Sequence, residues 1–226
     1  MRKHLLVLLL LLVPTTVYGQ FQVDIDRWLM QDAAHNLTSD AGVLFIGSSS
    51  IRRWQQLAHD FPEYDIIQRG FGGSQFSDVN RYLNDIVLPY DPRAIVIFEG
   101  TNDIASGKSA DTVYDDYRTF VDGVRNAQSP GEAAIPILFI GITPTPSRWS
   151  CCQPRNDLVN QYVAEFAAQD PALFYIDTPT AFLATGSPPA ASLFVSDRLH
   201  LTQDGYDIWT QNIKPALAAA FPSPKQ

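Results

Sequence analysis

The sequence predicts a three-layer α/β/α sandwich around a mostly parallel five-stranded sheet, and three observations carry that prediction. Five short apolar runs are unbroken rather than alternating, as in strands covered on both faces. Helix-like stretches separate them, and strand–helix alternation is the signature of the α/β class. Each of the first three runs also ends in a polar, glycine-bearing cluster, where a parallel sheet places its ligand-binding loops.

The elements follow in chain order. An amphipathic helix is predicted over Asp24 to His35, with Ile25, Trp28 and Leu29 on one face. Strands are predicted at Val43–Ile46, Tyr64–Ile67, Ala94–Phe98, Ile137–Ile140 and Leu173–Ile176. Helices are predicted near Ile51–Ala58, Ser77–Val87, Ala110–Ala127 and Asp157–Ala168. A last helix should start at Thr202 as N-cap, carry Tyr206 and Trp209, and bend or end at Pro215.

With 226 residues the chain suits one well-buried domain, and it holds neither a repeat nor a low-complexity tract. Met1 to Gly19 reads as a secretory signal: Arg2 and Lys3, then nine apolar residues from Leu5 to Val13, then Val17-Tyr18-Gly19 as a cleavage site. That run is too short for a membrane span, which needs about 20 residues. The expected organisation is therefore a signal peptide at 1–19 and a single domain at 20–226, exported and without a stable membrane anchor. Cleavage would leave 14 Lys+Arg against 24 Asp+Glu, a net charge of −10. Such acidity argues against nucleic acid and anionic membranes, and favours a neutral sugar or small ester.

Cys151 and Cys152 are the only cysteines and are adjacent. Neighbouring Cα atoms lie about 3.8 Å apart, below the usual disulfide range. Two thiols in a loop are expected, rather than a disulfide or a redox switch. Asn36-Leu37-Thr38 is a glycosylation sequon for a eukaryotic source.

Four polar clusters fall at one end of the predicted sheet. Ser49, in Gly47-Ser48-Ser49-Ser50, sits at a strand-to-helix turn where its hydroxyl is exposed; taken alone, the serines read equally as an N-cap for the next helix. Gly72 and Gly73 allow a backbone N–H to approach a ligand, or simply make a tight loop. Asn102, in Gly100-Thr101-Asn102-Asp103, brings a carboxamide donor or bonds its own turn. Asp197 stands three residues before His200, so it can accept from Nδ1 while Nε2 faces Ser49; the alternative is a surface pair capping the last helix. His59, beside Asp60, is the competing histidine and is expected to be exposed. A G-x-S-x-G elbow is absent, because Ile51 stands where its second glycine belongs. Neither H-E-x-x-H nor Cys-x-x-Cys occurs, so no metal or cofactor is expected.

Together these four blocks, in this order, resemble the SGNH or GDSL-like hydrolase family from about Ala41 to about Trp209. The resemblance implies a flavodoxin-like sandwich and ester hydrolysis through an acyl-enzyme. It implies Ser49 as nucleophile, His200 as general base and acid, and Asp197 as its orienting carboxylate. It implies an oxyanion hole from the Ser49 and Gly73 amides and the Asn102 side chain. Ser48 stands where the family usually has Asp, and Ser50 where it has Leu, which changes the local charge around Ser49. The Pro144–Trp149 segment is similar to one exported bacterial branch.

Short-chain acyl or carbohydrate O-acetyl esters are the expected substrates, with Trp54 and Trp149 read equally as sugar-stacking rings or as core residues. Lipase, lysophospholipase or thioesterase activity is the alternative within the fold. A carbohydrate-binding domain without turnover is the alternative outside it. Activity should fall in acid as His200 takes up a proton.

Overall fold

The computed structural model describes residue 19 and residues 21–35 and 42–221. Residues 1–18 of the expected signal segment, the Asn36-Leu37-Thr38 sequon and Ala41 lie outside the described residues. Five strands form one all-parallel sheet: β1 (Val43–Gly47), β2 (Ile66–Gly70), β3 (Ala94–Phe98), β4 (Ile137–Ile140) and β5 (Leu173–Ile176). Their spatial order is β2-β1-β3-β4-β5, the order of flavodoxin-like doubly wound sheets.

Successive residues along each strand enter two separate cores. Leu44, Ile46, Ile95, Ile97, Ile137 and Phe139 face one core. There they meet α1 (Gln22–His35), α4 (Phe76–Arg81), α5 (Leu83–Ile86), α7 (Ala110–Ala127) and α8 (Trp149–Ala167). Val43, Phe45, Val96, Phe98, Leu138 and Ile140 face the other, with α2 (Ser49–Arg52), α3 (Leu57–Asp60), α9 (Thr178–Leu183) and α10 (Gln203–Ala220). Both faces being covered is why the strands read as unbroken apolar runs. A short helix, α6 (Thr101–Ala105), follows β3. Among the described residues, no helix is long and apolar enough to cross a membrane.

Several boundaries differ from expectation, each for a physical reason. β2 runs to Gly70 through the polar pair Gln68-Arg69, because Arg69 is buried against Asp32 of α1 (2.5 Å) and Tyr90 (2.6 Å). The helix expected over Ile51–Ala58 is two short ones, broken where Trp54 turns fully into the core. The stretch expected at Ser77–Val87 is likewise divided, at Tyr82. Pro215 lies inside α10 without ending it, since Trp209, Ile213 and Leu217 bury one continuous face across it. Thr202 holds the N-cap position, but its hydroxyl donates to the Ser192 carbonyl instead of capping. On α1, Ile25 is buried while Leu29 faces outward.

The cysteines are not two thiols in a loop. Cys151 and Cys152 lie in the first turn of α8, which begins eight residues before the predicted Asp157, and they are disulfide-bonded to each other with Cα atoms 3.7 Å apart.

Candidate active site

The first three polar clusters lie at the carboxyl ends of β1, β2 and β3, and the Asp197–His200 loop folds over them. β1 ends at Gly47; Ser48 takes an extended conformation and its N–H continues the ladder to the Phe98 carbonyl (3.2 Å). Ser49 then opens α2. This helix can sit so close to the sheet because residue 70 is glycine: a Cβ there would lie 2.1 Å from the Arg52 backbone nitrogen. The three serines serve different ends. Ser48 and Ser50 are buried and Ser49 is half-exposed, while the Ser50 carbonyl accepts from the Tyr206 hydroxyl (2.8 Å).

His200 reaches Ser49 from the loop that precedes α10. Its Nε2 is 2.8 Å from Ser49 Oγ, and its Nδ1 is 2.6 Å from Asp197 Oδ2. The loop that holds this pair doubles back on itself. Phe194 bridges Leu201, the Val195 N–H donates to the His200 carbonyl (2.8 Å), and Arg198 turns the chain at φ 56°. Asp197 Oδ1 also accepts the N–H groups of Leu199 and His200, both at 2.9 Å. Partial burial pushes the Asp197 carboxyl up, but these N–H groups and the imidazole outweigh it and bring it to about 2. It is therefore a fixed anion on the side of the ring away from Ser49.

Opposite His200 stand the donors. Gly73 takes φ 87°, a left-handed turn that a side chain would strain, and it lines the cleft with Ser49 and Asn102. Among the described residues, neither the Ser49 nor the Gly73 N–H donates to another residue. Asn102 lies in α6 and not in a loop. Its Nδ2 donates to the Ser74 carbonyl (2.9 Å), which leaves its second N–H available.

Arg148 orients that amide, a contact that the sequence did not reveal. Its Nη2 donates to Asn102 Oδ1, and its Nη1 to the carbonyl and hydroxyl of Thr101, all at 2.9 Å. With the carboxamide oxygen held there, the NH2 group has to face Ser74 and the cleft. Arg148 belongs to the Pro144–Trp149 segment after β4, and a lone arginine between strand and helix was the available signal. Behind the donors, Glu99 is fully buried; desolvation raises its carboxyl well above the usual range despite the hydrogen bond from Ser74 Oγ.

Other sequence candidates do not converge here. His59 is exposed beside Asp60. Trp54 is fully buried, stacks on Tyr206 at 4.9 Å and donates to Asp60 (2.6 Å), so it is a core residue and not a sugar platform. Trp149 is half-buried in the first turn of α8 and does not line the cleft. A second Asp-x-x-His spacing, Asp32 to His35, lies on α1, where Asp32 is engaged by Arg69 and Tyr90.

The cleft has a volume of about 490 Å³. A second, of about 460 Å³, shares Arg53 and His200 with it and is otherwise lined by Gln55, Gln56, Val195, Leu201, Thr202, Gln203 and Tyr206. A hydroxyl hydrogen-bonded to an imidazole that a carboxylate orients, facing unpaired N–H donors, can pass its proton and attack an electrophilic carbon.

Residues 31–208 match the family described as GDSL-like lipase/acylhydrolase. No curated protein matches the chain in sequence. Among solved structures, the chain is similar to a GDSL-like lipase from Bacteroides thetaiotaomicron, at 18% identity and TM-score 0.70, covering 88% of this chain and 98% of that one. A lipase/acylhydrolase from Enterococcus faecalis aligns at 20% identity and TM-score 0.68, covering 82% and 99%. A catalytic mutant of an acetylxylan esterase from Geobacillus stearothermophilus aligns at 15% identity and TM-score 0.65, covering 81% and 95%. At these identities the likeness is one of fold.

Proposed function

This chain belongs to the GDSL-like lipase/acylhydrolase family and is an ester-hydrolysing enzyme, and we propose that it is an exported serine esterase that removes short acyl groups from polyhydroxylated alcohols. The observation that carries the reading is the 2.8 Å contact between Ser49 Oγ and His200 Nε2, with Asp197 on the opposite ring nitrogen.

In this reading Ser49 Oγ attacks the ester carbonyl carbon while His200 Nε2 takes its proton. The carbonyl electron pair moves onto oxygen, where the Ser49 and Gly73 N–H groups and Asn102 Nδ2 receive it. Each such donor is worth roughly 3–4 kcal/mol in a transition state. Collapse expels the alcohol, which leaves with the proton from His200; water then repeats the sequence on the acyl-enzyme. Asp197 holds the tautomer that presents a bare Nε2.

The cleft favours a short acyl group: glycines and polar side chains line it, and Leu199 is its one apolar side chain. Beyond His200, the glutamines and Thr202 of the second cleft suit the hydroxyls of a sugar. The fold shared with an acetylxylan esterase is consistent with that substrate class. Export rests on the basic start and apolar run of residues 1–19; a cell fraction outside the cytoplasm should yield a chain starting at Gln20, and an intact Met1 there would count against it.

The test is hydrolysis of a chromogenic acetate by wild type and by Ser49→Ala, with a serine-directed phosphonate as label. Wild type should turn over and be labelled at Ser49, and the variant should do neither. Across an acyl series from acetate to palmitate, kcat/KM should fall with length; a rise towards palmitate would point to a lipase instead.

A further inference from the structure

The cleft that holds Ser49 carries positive charge that its surroundings leave largely unbalanced. Arg52, Arg53 and Arg148 all line it, in a chain of net charge −8. Arg148 is half-buried and its hydrogen-bond partners are uncharged: the Thr101 carbonyl and hydroxyl and the Asn102 amide oxygen. Arg52 Nη1 lies 3.2 Å from where a Cβ on Gly72 would stand, and Ser49 Cβ is 3.9 Å from the same point. Among the described residues Arg52 has no ion pair and no side-chain hydrogen bond.

Two carboxylates lie close enough to matter. Asp197 Oδ2 is 3.8 Å from Arg53 Nη1, but that oxygen already accepts from His200. Asp24 shares a neighbouring recess with Arg52 and is paired with Arg27 at 2.8 Å. The cleft thus sets three guanidinium groups against one shared carboxylate. Arg148 has work to do on Asn102 whatever the substrate. Arg52 touches no oxyanion donor side chain, so its charge is idle unless the substrate brings a counter-charge.

We propose that the preferred ester carries an oxyacid anion, a carboxylate in the simplest case, close to the scissile bond, where Arg52 and Arg148 receive it. The inference rests on the esterase reading above and narrows it to anionic esters. A guanidinium fork pairs with a carboxylate through two parallel N–H donors, and a cleft lined by charge of one sign concentrates the opposite charge. The net acidity of the chain, which taken alone favours a neutral substrate, is a property of the whole surface. The local field of the cleft has the opposite sign.

Two matched pairs of esters test this and report which side of the ester bears the anion. On the alcohol side, 3-acetoxybenzoate is compared with 3-acetoxybenzamide; on the acyl side, monophenyl adipate is compared with its terminal amide. In at least one pair kcat/KM should favour the anion by about tenfold, the scale of one charge-assisted contact. That preference should shrink in about 1 M salt, where the screening length is about 3 Å. Arg52→Gln should lower the anion-to-neutral ratio at least about threefold. Ratios at or below one in both pairs, or a ratio unmoved by Arg52→Gln, would overturn the proposal while leaving an esterase in place. Should no ester in either pair turn over, the esterase reading falls. Binding of 3-hydroxybenzoate against 3-hydroxybenzamide to Ser49→Ala then decides the charge question, with equal affinities sinking it.

Discussion

Asp103 closes one of the four polar blocks and Asp197 opens another, and the structure treats them in opposite ways. The Asp103 side chain is fully buried, accepts from the Phe76 N–H (3.2 Å) and pairs with Lys108 (2.8 Å). The Asp197 side chain is 41% exposed and accepts two backbone N–H groups and an imidazole. Burial dominates at Asp103 and raises its carboxyl, even with Lys108 beside it. At Asp197 burial also pushes the carboxyl up, but the His200 and Leu199 N–H groups and the imidazole together outweigh it. One cation beside Asp103 does not offset full burial, whereas two N–H groups and an imidazole offset partial burial at Asp197. Asp103 ties α4 and Lys108 to α6; Asp197 ties the imidazole and the backbone of its own loop.

That contrast can be broken most directly by activity. Asp197→Asn should lower kcat/KM by about 10³–10⁴-fold, since the amide no longer fixes the tautomer that leaves Nε2 free. Asp103→Asn should leave kcat within about threefold and instead destabilise the fold by about 1–3 kcal/mol, read as the denaturation midpoint. Exchanged outcomes in a steady-state assay and a urea titration would reverse the assignment of the two carboxylates.

Much of this division was legible before any coordinates. The bounds predicted for β3, β4, β5 and α7 are those observed, because an apolar run buried on both faces or an apolar stripe at helical spacing needs no distant partner. β2 was misplaced because Arg69 is buried through Asp32 and Tyr90, 37 and 21 residues away, pairings that local pattern does not carry. Trp54 read equally as a sugar platform or a core residue, because nothing nearby in sequence announces Tyr206 and Trp209, which enclose it. The polar blocks were readable as strand ends. The guanidinium on Asn102 was not, since Arg148 reaches it across 46 residues.

Arg148 sharpens the comparison from the Asn102 side. Arg148→Ala frees the carboxamide to rotate and should cost about 10–10²-fold in kcat, somewhat less than deleting an oxyanion donor outright. Neutral esters should suffer this loss and anionic ones a larger one, since Arg148 also receives the anion, whereas Arg52→Gln should act mainly on the anionic ester. A wild-type kcat in Arg148→Ala on a neutral ester would show that Asn102 orients itself.

The smallest effects are in stability against pH, and they carry opposite signs. Asp197 is depressed, so its contribution is present above its unfolded value near 4 and is lost as pH falls through about 2. The Tm deficit of Asp197→Asn relative to wild type should therefore close between about pH 4 and pH 2. Asp103 is raised, so wild type loses stability as pH climbs from about 4 through that raised value. The deficit of Asp103→Asn should narrow over the same climb. Thermal melts from acid to neutral pH report both, and parallel curves for the two variants would remove the distinction.

Gly70 and Gly72 stand two residues apart, yet they face very different futures under selection. Any side chain at 70 would collide with backbone and lever the whole nucleophile turn off the sheet, so drift there is forbidden. At 72 a methyl group would meet side chains alone: the Arg52 guanidinium, 3.2 Å away, and Arg52 Cδ and Ser49 Cβ, each at 3.9 Å. Diversification of acyl preference among descendants of this enzyme therefore has an open door at one glycine and a wall at the other.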